Sequence, residues 1–256
     1  MIPAVVLKLV EAQRGLVLVT GATGSGKTTT MACMLHHINT TMRKHVVTIE
    51  DPIEFTHEDR LAVISQREIG NDTKDFATAL RHVVRQNPDV IFIGEMRDQE
   101  TIAAALTAAE TGHLVIATLH TNDSIQSIDR IIDVFPPHQQ QQIRVQLAFS
   151  LLGVISQRLM LKKDGKGRIM AAEVLIKNFA VANHIREGKT HQTRTIMEGA
   201  RKEGMMTLDH RLGQLFNAGL IDLNEVTRNA SSPTALHHIL GLLEGGTSAA
   251  GLKSHQ

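Results

Sequence analysis

The sequence predicts an α/β fold, with a mainly parallel β-sheet covered by helices on both faces and followed by a small helical subdomain. Two observations carry this expectation. Between residues 16 and about 135, short apolar runs alternate with longer stretches of helical period, the pattern of repeated strand–helix–strand units. A complete G-x-x-x-x-G-K-[ST] sequence, Gly21 to Thr28, follows the first of those runs and opens the first helix. In that context the motif builds a phosphate-binding loop.

In chain order, residues 16–19, 45–49, 89–93 and 113–119 read as buried strands, because each is a short apolar run bounded by polar or glycine signals. Helices fit between them at about 27–39, 74–86, 98–110 and 123–133. Such alternation implies parallel pairing with right-handed crossovers. Residues 62–66 form a further short strand, placed at an edge. After Pro136 and Pro137 a Gln-rich amphipathic helix is expected over about 138–157. A hairpin follows, with residues 158–162 and 168–175 turned by the Lys- and Gly-rich segment 163–167. From 178 to 243 the pattern is helical, punctuated by Gly188, Gly199, Gly204 and Gly219. The expected divisions are therefore residues 1–15 as the end of an interdomain linker, 16–177 as the core, 178–243 as a helical subdomain and 244–256 as a disordered tail of low apolar content.

Length and composition bound the possibilities. At 256 residues the chain is one large domain, or one with a small appendage. Hydrophobic residues at 42% and charged residues at 21% are those of an ordinary globular protein, which excludes fibrous or wholly disordered classes. The 27 Lys and Arg against 26 Asp and Glu leave +1, so no bulk basic field argues for nucleic acid. Seven Phe with no Trp or Tyr disfavour a base-stacking platform. One cysteine, Cys33, excludes an intramolecular disulfide and a Cys-based zinc site, and is read as a packed small hydrophobe. The longest apolar runs fall far short of a membrane span, and no signal peptide is visible, so the chain reads as cytosolic.

The chemistry concentrates at one edge. Gly21, Ala22, Thr23, Gly24, Ser25 and Gly26 form a loop whose backbone N–H groups face phosphates. Lys27 reaches the β and γ phosphates, and the Thr28 hydroxyl, followed by Thr29, is available to Mg²⁺. In a parallel sheet ligands bind beyond the carboxyl ends of the strands. Those ends here read Thr20 and Gly21, Glu50 and Asp51, Gly94 and Glu95, His120 and Thr121, and they converge on one rim. Residues 89–95 resemble a Walker B strand with Gly94 in place of the usual aspartate. Thr28, water and a carboxylate from Glu50 or Asp51 must then serve Mg²⁺, while Glu95 is placed to orient or deprotonate water. His120 suits a γ-phosphate sensor, and His113, at the far end of the same strand, a strand-start or interface role. Arg81, Arg85 and Arg97 flank the Walker B strand as phosphate sensors, as contacts to a neighbouring subunit's nucleotide, or as surface ion pairs.

Taken together, residues 15–29, 48–55, 94–98 and 110–122 resemble, in order, the Walker A, Asp, Walker B and His boxes of the secretion-superfamily motor ATPases, and most of all the PilT-type pilus retraction ATPases. The resemblance implies a RecA-like P-loop NTPase core using ATP and Mg²⁺. It implies Glu95 as the catalytic glutamate, Glu50 as its assistant with metal and water, and His113 and His120 as couplers of nucleotide state. It also implies Arg81, Arg85 and Arg97 near subunit interfaces. The family works as a homohexamer at the inner face of the inner membrane, with a platform protein and other pilus assembly components as partners and no nucleic acid. The chain starts about where the family's interdomain linker lies, so its N-terminal domain is expected to be missing. Residues 180–187 depart from the retraction family's C-terminal helical motif by lacking its first arginine and its leucine. Alternatives are an extension or secretion ATPase, which the lack of a four-cysteine zinc site disfavours, and a nucleotide-binding regulatory subunit without hydrolysis.

Overall fold

The computed structural model describes residues 3–231 and residue 235. Strands β1 (Gly15–Thr20), β2 (His45–Glu50), β3 (Val63–Glu68), β4 (Val90–Ile93), β5 (Leu114–Leu119), β6 (Leu151–Leu161) and β7 (Arg168–Ile176) form one sheet in the order β3-β2-β4-β5-β1-β6-β7. Every pair is parallel except β6 with β7. β3 lies at the edge, as the sequence predicts.

The interior strands are mostly apolar because both faces are covered. Their side chains alternate between two cores. Leu16, Leu18, Val47, Ile49, Ile91, Ile93, Val115 and Ala117 point to one side, and Val17, Val19, Val46, Val90, Phe92, Leu114 and Ile116 to the other. The first side is packed by α3 (Phe76–Val83), α4 (Gln99–Glu110), α5 (Ser124–Asp133) and α6 (Pro137–Ser150). The second is packed by α1 (Ala4–Val10) and α2 (Lys27–Thr41). Asp75, Asp98 and Asp123 begin α3, α4 and α5, each accepting a hydrogen bond from the N–H three residues on.

The structure corrects the sequence reading at four places. The Gln-rich helix ends at Ser150, and residues 151–157 belong to β6, which pairs in parallel with β1. The spacing of Leu147, Leu151 and Val154 imitates a helical stripe, but Val154 and Ile155 bury on opposite faces of the sheet. Residues 1–15, expected as the end of a linker, contain α1, whose Val6, Leu9 and Val10 are buried in the second core. Helices α7 (Phe179–Glu187) and α8 (Thr193–Gly199), expected in the helical subdomain, bury Val181, Ile185 and Met197 in the main core. Among the described residues only α9 (Leu208–Asn217) and α10 (Leu223–Asn229) form a separate cluster, with Met160 and Ala171 of the hairpin. Cys33 is exposed, because α2 turns Thr30, Met34, Leu35 and Ile38 inward and Cys33 falls on the other side of that helix. The end of the helical stretch expected to 243, beyond residue 231 apart from residue 235, and the tail expected at 244–256 lie outside the described residues.

Candidate nucleotide site

The strand order places the carboxyl ends of β2, β4, β5 and β1 side by side. The cleft that they line, of about 550 Å³, holds the glycine-rich loop on one wall and Glu50, Glu95 and His120 on the other. All four strand ends singled out in the sequence therefore meet at one site.

The loop has the shape its glycines permit. Gly21, Gly24 and Gly26 adopt φ of 145°, 75° and 88°. At Gly21 a Cβ would also stand 2.4 Å from the Gln157 carbonyl oxygen and 2.5 Å from Ser25 Oγ, so no side chain fits there. Gly26 caps α2 with no side chain, leaving the N–H groups of the first turn for an anion. Lys27 Nζ folds over the loop and donates to the carbonyls of Gly21 (2.8 Å) and Ala22 (3.1 Å). Burial lowers the Lys27 pKa, and the negative charge of Glu95 partly restores it. Thr23, Thr28 and Thr29 line the cleft. Ser25 turns inward instead, its carbonyl held by Gln157 Nε2 at 2.8 Å.

Glu95 is held by an arginine and a histidine. Its Oε1 lies 2.6 Å from Arg97 Nε and 3.2 Å from His120 Nε2. Burial pushes the Glu95 carboxyl up, but the Arg97 hydrogen bond and the charges of His120 and Arg97 outweigh it, so the net shift is downward. A carboxylate so held is kept ionised and can accept a hydrogen bond from water and orient it, although its lowered pKa makes it the weaker base. Thr118 Oγ1 donates to the Gly94 carbonyl, and Met96 N–H donates to Thr118 O at 3.0 Å, locking the Gly94–Met96 turn to the end of β5. At Gly94, where an aspartate is customary, a Cβ would lie 3.2 Å from Ile49 O and 3.4 Å from Glu50 Cα, a tight fit. The ends of β2 and β4 thus approach closely, and Glu50 enters the cleft beside Glu95. Glu50 Oε1 accepts from Thr48 Oγ1 (2.6 Å) and Gln66 Nε2 (3.0 Å).

Three of the residues expected as sensors or interface contacts lie away from the cleft, His113 at the far end of β5 as its place in the sequence implies. His113, at the opposite end of β5, places Nδ1 3.1 Å from the Ala108 carbonyl. Arg81 donates to Thr78 Oγ1 and faces Glu100 at 3.8 Å on the exposed side of α3. Arg85 is exposed on the short 3-10 turn after α3. The structure adds three residues the sequence reading missed. Glu54 Oε1 accepts from the Thr28 hydroxyl at 3.1 Å. His57 lines the cleft with its pKa lowered by burial, against an opposing pull from Glu50. Gln157, fully buried on β6, holds the phosphate loop by Ser25. Glu54 carried a signal in lying four residues after Glu50 and two after Pro52, but only the folded loop shows it bending back to Thr28. Gln157 was hidden by the helical reading of 138–157.

Among the described residues no group of three or more His, Cys, Asp or Glu is arranged to hold a metal ion by itself, and no helix is long and apolar enough to cross a membrane. The oxygen-rich corner of Thr28, Glu54 and Glu50 suits a hard cation that also takes ligands from water and phosphate.

Comparison with known proteins agrees with this architecture. The chain is 48% identical to the twitching motility protein of Neisseria gonorrhoeae over 91% of its own length and 63% of that protein. It is 49% identical to the type IV pilus retractation ATPase PilT of Pseudomonas aeruginosa over 87% of its own length and 64% of that protein. It therefore spans less than two thirds of either relative. The crystal structure of the pilus retraction motor PilT with bound ADP superposes with a TM-score of 0.87 at 49% identity, covering 93% of this chain and 67% of that one. The model of the type II/IV secretion system protein family matches residues 3–198, from α1 through the phosphate loop and the His120 strand to α8. With fold, site and sequence match in agreement, the chain belongs to the type II/IV secretion system protein family.

Proposed function

We propose that this chain is the ATP-hydrolysing part of a type IV pilus motor that drives retraction and twitching motility. The observation that carries the reading is the Glu95 carboxylate, gripped by Arg97 and His120 across the cleft from Lys27 and the phosphate loop. A P-loop supplies binding. A carboxylate held ionised at the cleft supplies the means to activate water.

In this reading the loop N–H groups and the α2 N-terminus bind the phosphates of ATP, and Lys27 leaves the Gly21 and Ala22 carbonyls to meet the β and γ oxygens. Thr28, Glu54 and Glu50 would hold Mg²⁺, partly through water. When bound, that ion neutralises charge on the β and γ phosphates. Glu95 accepts the proton of the attacking water, while His120 and Arg97 fix the carboxylate and respond when its charge changes. Arg97, with its side chain 77% exposed, is the arginine best placed to reach the γ phosphate or a neighbouring subunit. Arg81, Arg85 and His113 are assigned to contacts away from the cleft. The working assembly is a homohexameric ring docked peripherally on an inner-membrane platform protein with other pilus components, on the cytoplasmic side.

The test is genetic and enzymatic together. Loss of the gene should leave cells with more pili and no twitching, and the protein should hydrolyse ATP in a Mg²⁺-dependent way. Loss of pili would instead assign extension. Nucleotide binding without turnover in the assembled ring would assign a regulatory subunit.

A further inference from the structure

Glu173 is a carboxylate that the hydrolytic reading leaves without a task. It is 3% exposed on β7, and no ion pair to it is seen among the described residues. A carboxylate buried without a cation is costly unless donors surround it. Three do. Oε1 accepts from the Ser124 N–H at 2.9 Å and the Ser124 hydroxyl at 2.6 Å, and Oε2 accepts from the Leu208 N–H at 3.4 Å. Ser124 and Leu208 are the first residues of α5 and α9, so the charge faces two helix N-termini at once.

The sheet register gives that location its meaning. Thr20 pairs with Leu119 on one side and Ser156 on the other, and Ser156 pairs with Glu173. Glu173 thus stands in the same cross-strand row as the last residue of β1 before the phosphate loop and the last residue of β5 before His120. Directly over the row, Ser127 of α5 lies within 3.3 Å of Thr20 Oγ1 and 2.6 Å of Thr121 Oγ1. The connection 120–123 that carries His120 is therefore held by β5 at one end and by Ser124 on Glu173 at the other. Asp123 caps α5 by accepting from the Gln126 N–H, but it does not take the Ser124 N–H. Glu173 supplies the acceptor for that group. The far side of the clamp is rigid as well, because Val174 and Met206 exchange two backbone hydrogen bonds, of 2.8 and 2.9 Å, just before α9.

We propose that Glu173 is the positioning residue for His120, fixing the start of α5 against β7 and α9 so that the imidazole stays on Glu95. The proposal rests on the hydrolytic reading of Glu95 and His120. It also ties the nucleotide rim to the helices after the hairpin, since one carboxylate serves both.

The test uses Glu173→Gln, which keeps size but presents an NH₂ group to one of the donors, and Ser124→Ala, which removes only the hydroxyl contact and guards against a Gln variant that does not fold. Nucleotide affinity, measured with ADP by calorimetry, should stay within about twofold of wild type, because no phosphate-loop contact is touched. Turnover should fall by roughly 10- to 100-fold in Glu173→Gln, the scale of a catalytic group displaced by about an ångström, and by less in Ser124→Ala. In a His120→Ala background, Glu173→Gln should cost nothing further in turnover. Amide hydrogen exchange of residues 120–127 should quicken in both variants while the sheet amides keep their protection.

Equal losses in the presence and absence of His120, or unchanged exchange over 120–127, would overturn the proposal. Wild-type protein that binds ADP yet never hydrolyses ATP would sink the hydrolytic reading. In that event the exchange experiment still decides whether Glu173 holds the loop.

Discussion

At the scale of single residues, the site is a set of charges whose neighbours decide their task. Lys27 is the side-chain cation of the phosphate loop, so Lys27→Ala should abolish nucleotide binding in calorimetry. Glu95→Gln should retain ATP binding and lose about 10² to 10⁴ in turnover, the range for a missing positioned base. Arg97→Ala makes a sharper test. Arg97 and His120 hold the Glu95 carboxyl below its usual range against the upward push of burial. Removing the guanidinium leaves burial less opposed, so the pKa rises. Activity that needs ionised Glu95 fades as pH falls through that pKa, and a pH–rate profile should therefore show the acid limb of Arg97→Ala displaced to higher pH than wild type. The loop residues, Glu50, Glu95 and His120 were legible in sequence because each ends a strand or opens a helix at a fixed offset. Glu54 and Gln157 were not, since a loop's return path and a strand neighbour 132 residues away leave no local pattern.

At the scale of elements, the clearest reading came where a strand is short, apolar and flanked by a capped helix, as in β1, β2, β4 and β5. It failed at the junction of α6 and β6. There Leu151 passes straight into extended backbone (φ −59°, ψ 131°) with no turn residue to mark the change. Gly153 is the local clue, since a Cβ there would meet the Leu175 carbonyl oxygen at 2.7 Å and Leu9 Cδ1 at 3.0 Å, where α1 and β7 both press on β6. Because the first of those neighbours is backbone, it yields little. Gly153→Ala should cost about 1–3 kcal/mol, measured as a drop in the urea midpoint with the slope unchanged.

At the scale of the whole molecule, the nucleotide cleft opens at the sheet edge with Arg97 reaching outward from it. Arginines supplied across a subunit seam contribute about 10³ to 10⁵ in turnover in phosphoryl-transfer systems that use them. The 256-residue chain spans 63% and 64% of the pilus relatives it matches. If the ring proposed above needs residues outside this span, the span alone should scatter light as a monomer or weak oligomer at micromolar concentration, bind ATP well and turn it over slowly. A stable and fully active hexamer of this chain alone would show that these residues suffice to close the ring.

The position of β1 has a consequence for how the protein is made. The strand that carries the phosphate loop lies between β5 and β6, so its two partners begin at residues 114 and 151. On a ribosome adding about 5–20 residues per second, the apolar segment 16–19 waits on the order of ten seconds for its second neighbour. During that interval it is a sticky, unpaired ribbon and a natural client for a chaperone. Nascent chains halted at residue 140 should bind trigger-type holdases and fail to retain a fluorescent ATP analogue, whereas chains halted well beyond residue 176 should do the reverse.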